Sequence, residues 1–177
     1  MRVFKVTTKS QYEALRGFIN VSIFYFCFNI FIALLLFFEY DLAFQKIVFV
    51  VSLLFIPYII FFLYPVVTIH FNYLKNAVYK DVVLSNHELK LNNAVYISEN
   101  IERIDVYASY VYFAGGSGTN WSVHEVAYYR IEILLDSCSK ITLTSLYGYD
   151  LYFYIKEYFP ETTIIEHKLL FVPSYWI

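Results

Sequence analysis

Two stretches without a single Asp, Glu, Lys, Arg or His, residues 17–38 and 47–69, limit what this chain can fold into more than any other feature. They run for 22 and 23 residues. A helix advances about 1.5 Å per residue, so about 20 apolar residues cross the roughly 30 Å hydrocarbon layer of a bilayer. Only residues 39–46 separate the two, which is enough for a tight helical hairpin. The expectation is a membrane α-helical hairpin over 17–69, an N-terminal segment over 1–16 and a following domain over 71–177.

A cleaved leader would look different. Its apolar core would be shorter, about 7–15 residues, and a small-x-small site would follow it before Glu39. Arg2, Lys5, Lys9 and Arg16 precede the first run and Lys75 and Lys80 follow the second, whereas the connection carries Glu39, Asp41 and a single Lys46. Cations near spans favour the cytoplasmic side, so both termini are expected there. Ser10-Gln11-Tyr12-Glu13 has the pattern of a capping box and predicts a helix start at Ser10. In the first run Asn20 and Cys27 are seven apart, as are Ser22 and Asn29, and the two pairs fall on nearly opposite faces of a helix. One face is expected against the second span. The other, through an amide seeking a hydrogen bond in lipid, is expected against a second protein. Asn20 and Asn29 are therefore candidate partner contacts. Pro57 and Pro65 should bend the second span, and neither run carries the ionisable residue that a proton or ion path requires.

After His70 the pattern changes to period-two alternation. It predicts strands over 82–85, 88–91, 94–98, 104–113, 126–135 and 141–144. Turns are expected at Asn86-His87, at Asn92-Asn93 and over 136–140. Leu151, Tyr154, Ile155 and Tyr158 then recur at helical spacing behind Asp150, and Pro160 stops the helix. A last strand is expected within 162–170. From residue 71 onward 8 Lys and Arg face 12 Asp and Glu, a net charge of −4. That balance argues against nucleic acid and against broad electrostatic docking on anionic lipid. Cys27 and Cys138 are too far apart in sequence and setting to form a disulfide framework, in keeping with a reducing compartment.

The hairpin Val83-Leu84-Ser85-Asn86-His87-Glu88-Leu89-Lys90-Leu91, followed by Ile101-Glu102-Arg103-Ile104-Asp105-Val106, gives the layout a likeness. It resembles the bacterial pleckstrin-homology-like domains of small membrane proteins, the YcxB-like group. The resemblance implies two N-terminal spans in the bacterial inner membrane and a cytosolic α+β, mainly β, PH-like domain of antiparallel strands with one helix near the C-terminus. The 17 residues beyond Pro160 depart from that plan.

No catalytic or metal motif stands out. His70, His87, His124 and His167 are scattered, and neither cysteine belongs to a Cys-x-x-Cys pair. The glycine-rich run at 115–120 lacks the Gly-Lys-Ser/Thr ending of a phosphate loop. Glu99, Glu102 and Asp105 read as solvated strand ends. No catalytic, cofactor or metal residue is assigned, and no cofactor or small-molecule substrate is expected. The reading is a non-catalytic membrane protein whose domain binds a protein partner or a second copy, with Trp121 as a candidate anchor. The alternative is an immunity or protective protein against a cognate toxin.

Overall fold

The computed structural model describes residues 1–40, 43–113 and 128–170. It contains two long apolar helices and a mostly antiparallel sheet domain with a helix near its C-terminus. The chain divides into two compact units, one of Arg16–His70 and one that joins Met1–Leu15 to Phe71–Ile177.

Helix α1 (Thr8–Phe38) is 31 residues long, and the second helix, Phe44–Asn76, is 33. Both are long and apolar enough to cross a membrane. The second is built from α2 (Phe44–Tyr58), a π-helical turn (Ile59–Leu63) and α3 (Tyr64–Asn76). The widened turn lies between Pro57 and Pro65, each of which removes one backbone donor from the ladder. The tyrosine hydroxyl of Tyr25 on α1 donates to the Leu54 carbonyl of the facing helix. Tyr58 centres the contact. Its ring stacks on Tyr25 at 4.7 Å and faces Phe18 at 6.4 Å.

The start of α1 differs from the expected box at Ser10. The Ser10 amide donates to Thr7 Oγ1 at 3.1 Å, and the Thr7 amide donates to Ser10 Oγ at 2.9 Å. The reciprocal box is thus Thr7 to Ser10, three residues earlier, with serine in the role usually taken by Glu. Glu13 instead sits 3.8 Å from Lys9 one turn back.

The sheet domain begins before the hairpin. Strand β1 (Arg2–Phe4) pairs antiparallel with β2 (Val82–Ser85), bringing Arg2 opposite Leu84. Strands β3 (Glu88–Leu91) and β4 (Ala94–Ile97) continue the meander, so the first sheet has the order β1-β2-β3-β4. The tight turns form as expected, with His87 and Asn92 at positive φ. A separate segment over 1–16 was the sequence expectation; three residues of it are a sheet edge here, and the Phe4 ring is in the core. Gly148 makes room for that ring, because a Cβ there would lie 3.0 Å from Phe4 Cδ1.

The second sheet has the order β7-β6-β5-β8, from β5 (Ile101–Ser109), β6 (Tyr129–Leu135), β7 (Lys140–Thr144) and β8 (Ile164–Leu169). Strand β8 runs parallel to β5, which helix α5 (Leu151–Tyr158) permits as the crossover after β7. The strand expected over 104–113 ends at Ser109, and Tyr110–Phe113 forms one helical turn, α4. Val82, Leu84 and Leu89 from the first sheet share one core with Ile104, Ile131 and Leu143 from the second. Leu151 and Ile155 of α5 join the same core. The run at 115–120, Trp121 and His124 lie outside the described residues.

Candidate functional site

Period-two alternation puts Ile104, Val106 and Ala108 of β5 into the core and sends Arg103, Asp105 and Tyr107 to the outer face of the second sheet. Register then sets Tyr107 between Arg130 on β6 and His167 on β8, and Asp105 opposite Glu132. The result is an ordered ionic face. Asp105 accepts from Arg103 Nε at 3.0 Å and lies 2.9 Å from His167 Nε2. The His167 ring stacks on Tyr107 at 4.4 Å, nearly parallel, and the Arg130 guanidinium lies 4.6 Å from the same ring. Glu132 holds Arg130 at 3.2 Å and Lys140 at 3.1 Å. Burial, reinforced by the carboxylates of Glu132 and Asp105, pushes the Tyr107 hydroxyl above its ordinary value.

Asp105 was expected as a solvated strand end. Its side chain is only 4% exposed, because it sits mid-strand with the Arg103 and His167 side chains against it. A carboxylate on one imidazole nitrogen can orient a general base, but a base needs a nucleophile or a proton to act on. No serine, cysteine or lysine bonds His167 among the described residues. The geometry fits β8 being fastened to β5.

The edge of the first sheet is differently made. One side of β4 pairs with β3 and the other pairs with no strand among the described residues. Val95 is 53% exposed and Ile97 39%, and the strand contains no charge, proline or bulge of the kind that blunts an edge. Beside it opens a cleft of about 630 Å³ lined by Ile97, His87, Glu88, Glu99, Glu102 and Glu161, among others, with no Lys or Arg in its wall. Four carboxylates around one cleft make it electronegative. They are not a metal set, since no group of three ligating side chains comes together among the described residues.

The hairpin separates its two amides. Asn29 is buried, 3% exposed, with Nδ2 donating to the Tyr25 carbonyl at 2.8 Å and no donor reaching Oδ1 among the described residues. Ser22 lies on the same side and shares a 2.7 Å bond with the Tyr58 hydroxyl. Asn20 and Cys27 are exposed on the other side. Of the three candidate contact residues, Asn20 faces outward, Asn29 inward, and Trp121 lies outside the described residues. Sequence reasoning passed over the His167–Asp105–Tyr107–Arg130 cluster, whose members are up to 62 residues apart in the chain. A usable signal existed in the polar alternation of Arg103, Asp105 and Tyr107 against an apolar opposite face. No family model, curated protein or solved structure matches this chain.

Proposed function

We propose that this chain is a membrane-anchored, non-enzymatic protein-binding module. Its hairpin crosses the bacterial inner membrane twice, and its PH-like domain holds an extended segment of a partner along β4 on the cytoplasmic side. Three features support the reading. Strand β1 precedes the hairpin and pairs with β2 beyond it, in keeping with both ends of the hairpin on one face of the membrane. The cation bias around residues 2–16 and 75–80 favours the cytoplasmic face. Two three-stranded meanders, β2-β3-β4 and β5-β6-β7, followed by α5 over a shared core, agree with a PH-like plan, from which β1 and the parallel β8 are departures.

The observation that carries the binding role is the unpaired, apolar edge of β4 opening onto an acidic cleft. An added strand would satisfy the edge amides and carbonyls, and a Lys or Arg on it would reach Glu99, Glu102 or Glu161. The His167–Asp105 pair is read as structural because its stack on Tyr107 occupies it in ordering β8.

A photo-crosslinking residue placed at Val95 or Ile97 of the full chain in cells should yield an adduct of one defined mass, while the same probe at Phe153 on α5 should not. Purified chain should bind anionic vesicles weakly and with little salt dependence. Strong, salt-sensitive vesicle binding, together with no adduct at either β4 position, would overturn the partner reading.

A further inference from the structure

Helix α1 carries two stripes of the same spacing on opposite sides. Phe18, Ser22, Tyr25 and Asn29 step by 4, 3 and 4 and face the second helix, where Tyr58 and the Leu54 carbonyl receive them. Asn20, Phe24, Cys27, Phe31, Leu34 and Phe38 step by 4, 3, 4, 3 and 4, and every one of them is exposed. An alternating 3-4 step is the seam along which two helices pack side chains into each other's gaps. The inner seam is occupied. The outer one repeats its geometry over five steps with nothing against it among the described residues.

The outer seam also contains a chemical demand. Asn20 carries a donor and an acceptor three residues inside the charge-free run, and no described side chain bonds them. An amide is complementary to itself, because each NH2 can donate to the other's carbonyl. A second copy inserted the same way would bring its own α1 parallel. In a parallel pair like positions meet, so Asn20 meets Asn20 and Cys27 meets Cys27 two turns further along. The rest of the seam is uncharged, so self-pairing sets no like charges against each other.

We propose that α1 forms a parallel homodimer along the Asn20–Phe24–Cys27–Phe31–Leu34–Phe38 seam, closed at its cytoplasmic end by a reciprocal Asn20 amide pair. The proposal rests on the membrane-anchored reading above and names one partner for it: a second copy of this chain. It leaves the β4 edge free for another.

The native cysteine supplies the test. In a full-length Cys138→Ser chain in native membranes, copper phenanthroline should oxidise Cys27 to a disulfide-linked dimer, since facing seam positions fall within disulfide reach. With Cys27→Ala added, cysteines at Phe24, Phe31 or Leu34 should cross-link, and cysteines at Ile30 or Phe37, exposed but off the seam, should not. Asn20→Ala should lower the cross-linked fraction about threefold or more, and Asn20→Gln should largely restore it. Equal cross-linking on and off the seam, or none at Cys27, Phe24, Phe31 and Leu34, would overturn the dimer. So would a Cys27 adduct whose mass is not twice that of the chain. Alkaline carbonate extraction separates this failure from that of the premise. A chain that stays in the membrane pellet yet does not cross-link loses the dimer and keeps its anchor, while one that is extracted loses the membrane reading itself.

Discussion

In the hairpin, Ser22 reaches Tyr58 across 36 residues of chain and Tyr25 reaches the Leu54 carbonyl across 29; in the sheet domain, Asp105 reaches His167 across 62, and β1 reaches β2 across the whole hairpin. The polar groups differ in kind as well as in reach. The hairpin seam uses hydroxyls and an amide, mostly bonded to backbone carbonyls. The domain uses full charges, interleaved on the outer face of a sheet whose inner face is apolar. Solvent explains the contrast. Both helices are long and apolar enough to cross a membrane, where an ion facing lipid would be costly, and neutral donors suit that setting. A strand with one face in water can place Arg103, Asp105 and Tyr107 on that face while Ile104 and Val106 build the core. The hairpin is therefore a local structure, whereas the domain closes only when distant segments meet.

Alkaline pH should break the domain side of this comparison most completely. Burial pushes the Tyr147 hydroxyl up from 10.0 to about 12, against the partly compensating hydrogen bond between Tyr147 and the Tyr79 backbone. Burial also raises Tyr112, Tyr128, Tyr129 and Tyr152, the last helped by its hydrogen bond to Glu166. The folded domain keeps these protons after the unfolded chain has released them. Stability is thus fully present below pH 10 and falls as pH rises from there through about 12. Circular dichroism with tyrosinate absorbance should show strand signal lost cooperatively as several tyrosines ionise together. Smooth ionisation centred on pH 10 with the strands intact would contradict the burial described for these rings.

Phe4→Ala tests whether the domain depends on a segment beyond the hairpin. The ring is buried against Tyr154, 5.7 Å between centroids, and over Gly148. Truncating a buried Phe costs about 3–5 kcal/mol, and an edge strand able to relax over the cavity points to the lower value, about 3. Urea unfolding of the full chain in mild detergent measures it. A change below about 1 kcal/mol would make β1 an accessory and return the domain to 71–177 alone.

Much of this domain was legible from period two, which located β2 and β3 to the residue and β4 and β7 within one. Helix α5 was legible because Leu151, Tyr154, Ile155 and Tyr158 keep helical spacing up to Pro160. Alternation, however, states which way a residue points and not which strand lies beside it. Nothing local to Arg2–Phe4 announces pairing with Val82–Ser85, and three residues are too few to show a period. Asp105 was misread for the same reason: its charge looked solvated until register placed His167 beside it. The helix start was misplaced because Thr7 and Ser10 each offer a hydroxyl able to cap, and only backbone geometry chooses. For the sites the sequence was less informative still. It placed Asn20 and Asn29 on opposite sides, but the β4 edge and its cleft exist only once two strands and the segment at 161–163 are assembled.

Asp105→Ala should cost less than Phe4→Ala. It leaves Arg103 and His167 without their shared acceptor, yet both are exposed enough to turn to water, so a loss of about 2 kcal/mol is expected. His167→Ala should cost roughly half as much, because Arg103 still neutralises Asp105. Proteolysis downstream of α5 should report β8 loosening in both variants. If His167→Ala proved the costlier of the two, its stack on Tyr107 would outweigh its bond to Asp105.

The smallest expected effect belongs to the hairpin and measures its side of the contrast directly. Tyr25→Phe keeps the ring that stacks on Tyr58 and removes only the hydroxyl that donates to the Leu54 carbonyl. With the helix across a membrane, as proposed above, that carbonyl would have no water to turn to, which argues for a large penalty. Against this, helices separated within a bilayer also find substitute partners, and measured interhelical bonds average about 0.6 kcal/mol with a maximum near 1.7. Pro57 deprives the Leu53 carbonyl of its ladder donor and not Leu54, so a value near that average, about 0.6 kcal/mol, is expected. Reversible SDS titration in mixed micelles, followed by energy transfer between labels on the two helices, measures it. A loss of 3 kcal/mol or more would show that the π turn between the prolines needs Tyr25 to form at all. The hairpin would then hinge on one contact as sharply as the domain hinges on β1.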